Sequence, residues 1–204
     1  MDKSKLIDDV RHILDEQELV SEQELSTEDA LPIDERIEVL YPAAMNDTQK
    51  LLPVSMLQVY DFIPEVKADL QAGTGYVTLP EDFLRLVSFK MQGWRRACTT
   101  AISEDSDMYA FQFNRATRGG CVSPVVAINA DAKTLQYFSL PLYLAEHIVE
   151  KATYIKAASD IERDEIRQRG YDVLIWWLAR SVAASFGRKT DNITEQIKIM
   201  LNGD

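Results

Sequence analysis

Histidine and cysteine are scarce in this 204-residue chain, which has only His12, His147, Cys98 and Cys121. None of the four falls at a zinc-ligand spacing, which needs closely set Cys and His pairs. A chain of this size needs no disulfide to hold a core, so the two cysteines read as reduced, buried thiols of a cytosolic protein. Long apolar runs are missing as well. No window reaches the roughly 18 apolar residues of a membrane span. The longest apolar region, Leu174 to Ala184, is broken by Arg180. Charge begins at Asp2, so the start does not read as a secretory leader.

Basic residues are in deficit, with 22 Lys+Arg against 33 Asp+Glu, a net charge of −11 and a pI near 4.7. The deficit is uneven. Residues 1–82 hold 19 acids and 6 bases, whereas residues 83–204 hold 14 and 16. Coating of nucleic acid runs on Lys and Arg neutralising phosphates, so an acidic front half argues against it. A wall that repels DNA and lets it slide past remains compatible.

Motifs of catalysis are also lacking. There is no phosphate-binding P-loop, no G-x-G-x-x-G and no nucleophile elbow. What remains is thin. Cys98 or Cys121 with His147 would make a nucleophile–base pair, but nothing nearby in sequence activates either thiol. Glu81-Asp82 has the chemistry of an acid–base pair. Set beside Pro80 and ahead of a strand, it reads as a turn. Gly119-Gly120 after Arg118 has backbone N–H groups for a phosphate, and a plain loop explains it as well. His12 sits on a mostly polar helix face and reads as solvated or capping. The chain is expected to be no enzyme and to carry no cofactor or metal.

What is present is an α+β pattern, with N-terminal helices and a long C-terminal helix pair around a small antiparallel β region. Residues 3–19 have helical spacing, with Leu6, Val10, Ile13 and Leu14 on one face. Residues 16–30 read as an acidic linker. A second helix starts near Asp34, its cap, and Pro42 should kink or split it. Residues 54–63 read as extended or mixed, and Asp69 to Thr74 as a turn. Gly75 to Arg96 reads as strand, turn, strand and tight hairpin, with Leu79-Pro80 setting an extended lead-in and Gln92-Gly93 the hairpin loop. A strand then runs to Ile102, and Ser103 caps a short helix to about residue 111 that presents Met108, Tyr109 and Phe111. Val125–Asn129 and Thr134–Ser139 are strands joined by Asn129-Ala130-Asp131-Ala132. Residues 147–156 alternate as a strand, with a helix over 142–157 as the competing reading. Residues 161–186 form the clearest helix, with acids at its start and Gly187 at its stop. Thr190 to Leu201 closes the chain. This gives an arm at 1–33, a body at 34–187 and a tail at 188–204.

Trp94, Arg95, Arg96, Arg115 and Arg118 gather basic and aromatic groups in two stretches flanking the short helix. Trp and Arg dominate interface hot spots because each buries a large area and Arg adds forked hydrogen bonds. Trp176 joins them, since adjacent Trp176 and Trp177 point about 100° apart on a helix and need cover on two sides. These six are the candidate interface residues. Against an acidic front half, an arginine patch suits a head-to-tail contact between copies.

The run Leu79-Pro80-Glu81-Asp82-Phe83-Leu84-Arg85-Leu86-Val87, followed by Gly93-Trp94-Arg95-Arg96, then Phe113-Asn114-Arg115-Ala116-Thr117-Arg118-Gly119 and Leu135-Gln136-Tyr137-Phe138-Ser139, resembles head-to-tail adaptor proteins. These are the ring, or tail tubular, proteins of short-tailed bacteriophages, especially the crAss-like kind. The likeness covers roughly residues 34–187. It implies a structural virion protein, made in the host cytoplasm, that sits at the capsid–tail junction. Subunits would form a homo-oligomeric ring, usually a dodecamer, under the portal protein, and present a landing surface to the next tail protein. DNA would pass through the lumen without specific binding. Such rings close by heterologous contacts. The rival expectation is a non-enzymatic acidic module that docks one partner through Trp176 and the C-terminal helix.

Overall fold

The computed structural model describes residues 1–16 and 32–202. The acidic linker expected at 16–30 lies almost wholly outside them. By its contacts the chain forms two compact units. Met1–Gln58 with Ala157–Asp204 make one, and Val59–Lys156 make the other. The cuts therefore fall at 58/59 and 156/157, whereas the sequence placed them at 33/34 and 187/188.

The first unit is helical. α1 (Lys3–Glu16) buries Leu6, Val10, Ile13 and Leu14, the face its spacing predicted. α2 (Ile33–Leu51) buries Ile37, Tyr41, Ala44, Met45 and Thr48. Both pack on α4 (Gln168–Ser185), which α5 (Asp191–Asn202) closes from another side. Pro42 does not split α2. Its missing N–H costs a helix about 3 kcal/mol. The buried face of α2 outweighs that, since tertiary packing supplies most helical stability. Pro32, not Asp34, occupies the cap position. Asp34 instead lies in the first turn and pairs with Arg11 at 2.7 Å.

The long C-terminal helix starts later than its acids suggested, at Gln168. Residues 159–164 form a turn closed by Asp164, a buried carboxylate. Its Oδ2 accepts from the Ser159 and Asp160 N–H groups at 2.9 and 3.2 Å and from the Tyr41 hydroxyl at 3.1 Å. Burial beside that carboxylate pushes the Tyr41 hydroxyl well above its ordinary range. At the other end Gly187 takes φ +71°, and Arg188 N–H reaches back to the Ala183 carbonyl. That is the left-handed helix stop expected of glycine.

The second unit holds two sheets around one apolar core. β1 (Tyr60–Asp61), β8 (Val149–Lys156) and β4 (Phe83–Met91) form an antiparallel sheet in the order β1-β8-β4. β8 decides residues 147–156 in favour of the strand. β2 (Val66–Asp69), β3 (Thr74–Thr78), β7 (Thr134–Tyr137), β6 (Val126–Asn129) and β5 (Ile102–Ser103) form the other sheet in the order β2-β3-β7-β6-β5. Only the short β5 runs parallel to its neighbour. The strand expected before Ile102 shrinks to β5 and a single bridge between Cys98 and Phe89. Leu79-Pro80 does more than lead into a strand. The turn after it carries the chain from the five-stranded sheet into the three-stranded one. Gly93, at φ +92°, then reverses it so that Phe89 and Cys98 exchange both backbone hydrogen bonds.

Candidate functional site

Strand alternation gives the five-stranded sheet an inner and an outer face. Val77, Leu135, Tyr137 and Val126 point inward and are buried in the core. The cross-strand register Lys67–Tyr76–Gln136 lays one row across the outer face. Half of that outer face is roofed. The short helix α3 (Asp107–Ala110) runs into a tight turn at Phe111–Phe113. Ser106, rather than Ser103, caps it by accepting from Met108 N–H. Tyr109 donates to Gln136 Oε1 at 2.7 Å. Tyr109 and Phe113 meet Phe138 edge-on, with centroids 6.3 and 6.0 Å away. Burial, with Glu104 close by, pushes the Tyr109 hydroxyl up.

Two further bonds fasten the roof. Buried Gln112 accepts the Gly119 N–H on Oε1 at 3.0 Å and donates to the Met108 carbonyl. Arg118 donates from Nη1 to the Ala72 carbonyl at 3.2 Å, joining the loop to the β2–β3 turn. Between roof and hairpin lies a cleft of about 550 Å³. Its floor carries Tyr76 and Lys67. Its walls carry Phe113, Phe138 and Arg118. Phe113 is 62 % exposed and Tyr76 is 43 % exposed. Asp69 is the one acid in the lining, and it is used by the turn, accepting from the Gln71 and Ala72 N–H groups. The lining thus offers aromatic area and two cations. That chemistry accepts an apolar side chain next to a carboxylate.

The structure separates the six predicted interface residues. Trp94 is 3 % exposed and packs edge-on against Phe89, so it belongs to the core and not to a surface. The reversal at Gly93 turns its indole inward, and Trp94 Nε1 has no hydrogen-bond partner among the described residues. Arg95, Arg96 and Arg115 are exposed. Arg95 N–H bonds to the Cys121 carbonyl, which keeps that hairpin beside the loop of Arg115 and Arg118. Only Arg118 enters the cleft. Trp176 is half-buried against the helical core of the other unit. Lys67, Tyr76 and Phe113 were missed as site residues. The alternation Gly75-Tyr76-Val77-Thr78 pointed Tyr76 outward, and the apolar run 108–113 exceeded what one turn of helix can bury.

The residues weighed for catalysis have structural duties. Cys98 Sγ lies 2.9 Å from the Pro124 carbonyl, and burial pushes its thiol up to about 12, so it stays protonated near neutral pH. Cys121 Sγ donates to the Ser139 carbonyl at 3.1 Å. His147 Nδ1 shares a 2.7 Å hydrogen bond with the Tyr137 hydroxyl. Burial lowers His147 and raises Tyr137, with Asp69 pulling His147 partly back. Asp82 accepts from the Tyr154 hydroxyl at 2.9 Å and pairs with Lys156 at 3.3 Å. The Gly119 N–H belongs to Gln112, so the Gly119-Gly120 pair is no open phosphate cradle. His12 lies on an exposed part of α1.

Among the described residues no three His, Cys, Asp or Glu side chains are placed to hold a metal ion. No helix among them is long and apolar enough to cross a membrane. A scan against protein-family models finds no match, and a search of curated proteins finds none similar in sequence.

Proposed function

We propose that this chain is a structural assembly subunit, a head-to-tail adaptor that forms a ring between a portal protein and the next component of a phage tail. One observation carries the reading. An outward face combining aromatic side chains with Arg118 and Lys67 sits in a chain whose remaining charge is strongly negative. Val59–Lys156 hold 11 acids and 10 bases, which leaves the helical unit 22 and 12, a net charge of −10. A surface of this kind is suited to contact with another protein, because aromatic and arginine side chains supply area and forked hydrogen bonds at little conformational cost. The order of helices, β region and helix pair, and the motifs from Leu79 to Ser139, support the adaptor reading. A negative wall would also leave passing DNA free to move. In this role the chain needs no catalytic group.

The test is the mass of the protein in solution, alone and mixed with the portal protein of its own genome, followed by negative-stain imaging. Rings formed with the portal are the expected outcome. A monomer that ignores the portal refutes the adaptor role. A stable one-to-one complex with some other partner would support the acidic binding module. The half-exposed Ile199 at the end of α5 favours that second reading.

A further inference from the structure

We propose that the cleft between the Phe111–Phe113 turn and the β2–β3 hairpin seats the acidic helical unit of a second copy of this chain. The inference rests on the assembly reading above and names the contact within it. Three features select this occupant. The cleft is walled by Phe113 and Phe138 and floored by Tyr76, so it takes an apolar side chain. Arg118 spends one N–H on the Ala72 carbonyl, and the rest of its guanidinium fork, with Lys67 nearby, fits a carboxylate. The described residues of the unit that lacks the cleft hold 16 acids and 12 bases, a net charge of −4, against −1 for the unit that carries it, so the attraction runs from one unit to the other and not between like faces. The helical unit also presents apolar side chains among acids. Val39 is 67 % exposed on α2, one helical turn from Glu35, while the neighbouring Glu38 is paired with Lys3 at 2.8 Å.

A contact between unlike surfaces is heterologous. Repeated in one direction from copy to copy, it builds a ring or an open filament, and reciprocated between two copies it closes a two-fold pair.

The test places a photo-reactive benzoylphenylalanine at Phe113 in the purified full chain. The sample is irradiated at roughly 100 µM, where weak standard-size contacts are populated. The expected product is a covalent dimer whose second peptide maps to residues 1–58 or 157–204. Charge reversal by Arg118→Glu should weaken association in sedimentation about tenfold or more. Lys67→Glu provides the same reversal without touching the bond to Ala72, and added salt should act in the same direction. Cross-links that map to residues 59–156 of the second copy overturn the proposal. So does a chain that gives no dimer, or association indifferent to both reversals. Portal-templated rings without the 113 cross-link refute this seat and leave the adaptor role standing. The absence of all assembly removes both.

Discussion

The two units bury different kinds of polar group. The helical unit buries a charge and surrounds it. Asp164 accepts from two backbone N–H groups and a tyrosine hydroxyl on an element 123 residues away in sequence. The sheet unit buries neutral groups and partners them unevenly, with two hydrogen bonds for Gln112. Tyr137 and His147 have each other, and the Trp94 indole has no partner among the described residues. A buried charge costs so much when unpaired that its partners must all be in place. A buried indole or imidazole costs less, and the surrounding apolar core of Phe89, Tyr137 and Leu140 can carry it.

That difference can be broken experimentally, and the largest effect belongs to the charge. Asp164→Ala leaves the Tyr41 hydroxyl and two N–H groups without their acceptor. The expected loss is about 3 kcal/mol, read by urea denaturation followed through helical circular dichroism. A loss below about 1 kcal/mol would mean that water or a neighbour replaces the carboxylate.

The next effect is a pH dependence in the sheet unit. His147 is held below its ordinary value in the folded state, so the unfolded chain binds its proton first. The stability that neutral His147 contributes is therefore complete above about pH 6.5. It is lost as the pH falls from there toward the folded-state value. Urea midpoints of the unaltered chain should fall more steeply over that window than those of His147→Gln. Parallel curves would show that the imidazole titrates alike in both states.

The smallest effect sharpens the comparison. Trp94→Phe removes the unpartnered N–H and keeps an aromatic ring against Phe89. The change should cost less than about 1 kcal/mol, well under the 3–5 kcal/mol typical of an aromatic truncated to alanine. A large cost measured by the same denaturation would reveal a hydrogen bond to the indole.

The sequence was legible where burial follows a period. Leu6, Val10, Ile13 and Leu14 repeat at helical spacing, and all four are inside. The strand expected at 147–156 is found as β8, although its burial does not alternate, since Ala152 to Ile155 are all inside, and Gly187 marked the stop of α4. It misled where a local pattern had a distant partner. The acids from Asp160 to Glu165 look like a helix start, but Asp164 turns inward to meet Tyr41. Ser103 and Ser106 are both serines followed by acids, and only the fit of α3 onto β7 chooses between them. For the site, Arg95, Arg96 and Arg115 lie exposed and Arg118 is half-buried in the cleft wall, so one local cluster of arginines divides in space. Trp94 was misread, because a hairpin decides which way its ring faces and composition carries no such direction. The cleft itself exists only after α3 folds across a strand some twenty-five residues later, so its other lining residues gave no shared local mark.

Gly75 lines the cleft, and the space its side chain would fill is already taken from beneath. A Cβ there would collide with the Tyr137 hydroxyl. One thickness of backbone thus separates the floor of the cleft from the buried phenol–imidazole pair. Any residue with a side chain at this position must push on that pair from above. A substitution at 75 would therefore disturb surface recognition and interior titration together. Mutational scans should treat it as a shared wall, and the two sides can be read independently only from Tyr76 on one and His147 on the other.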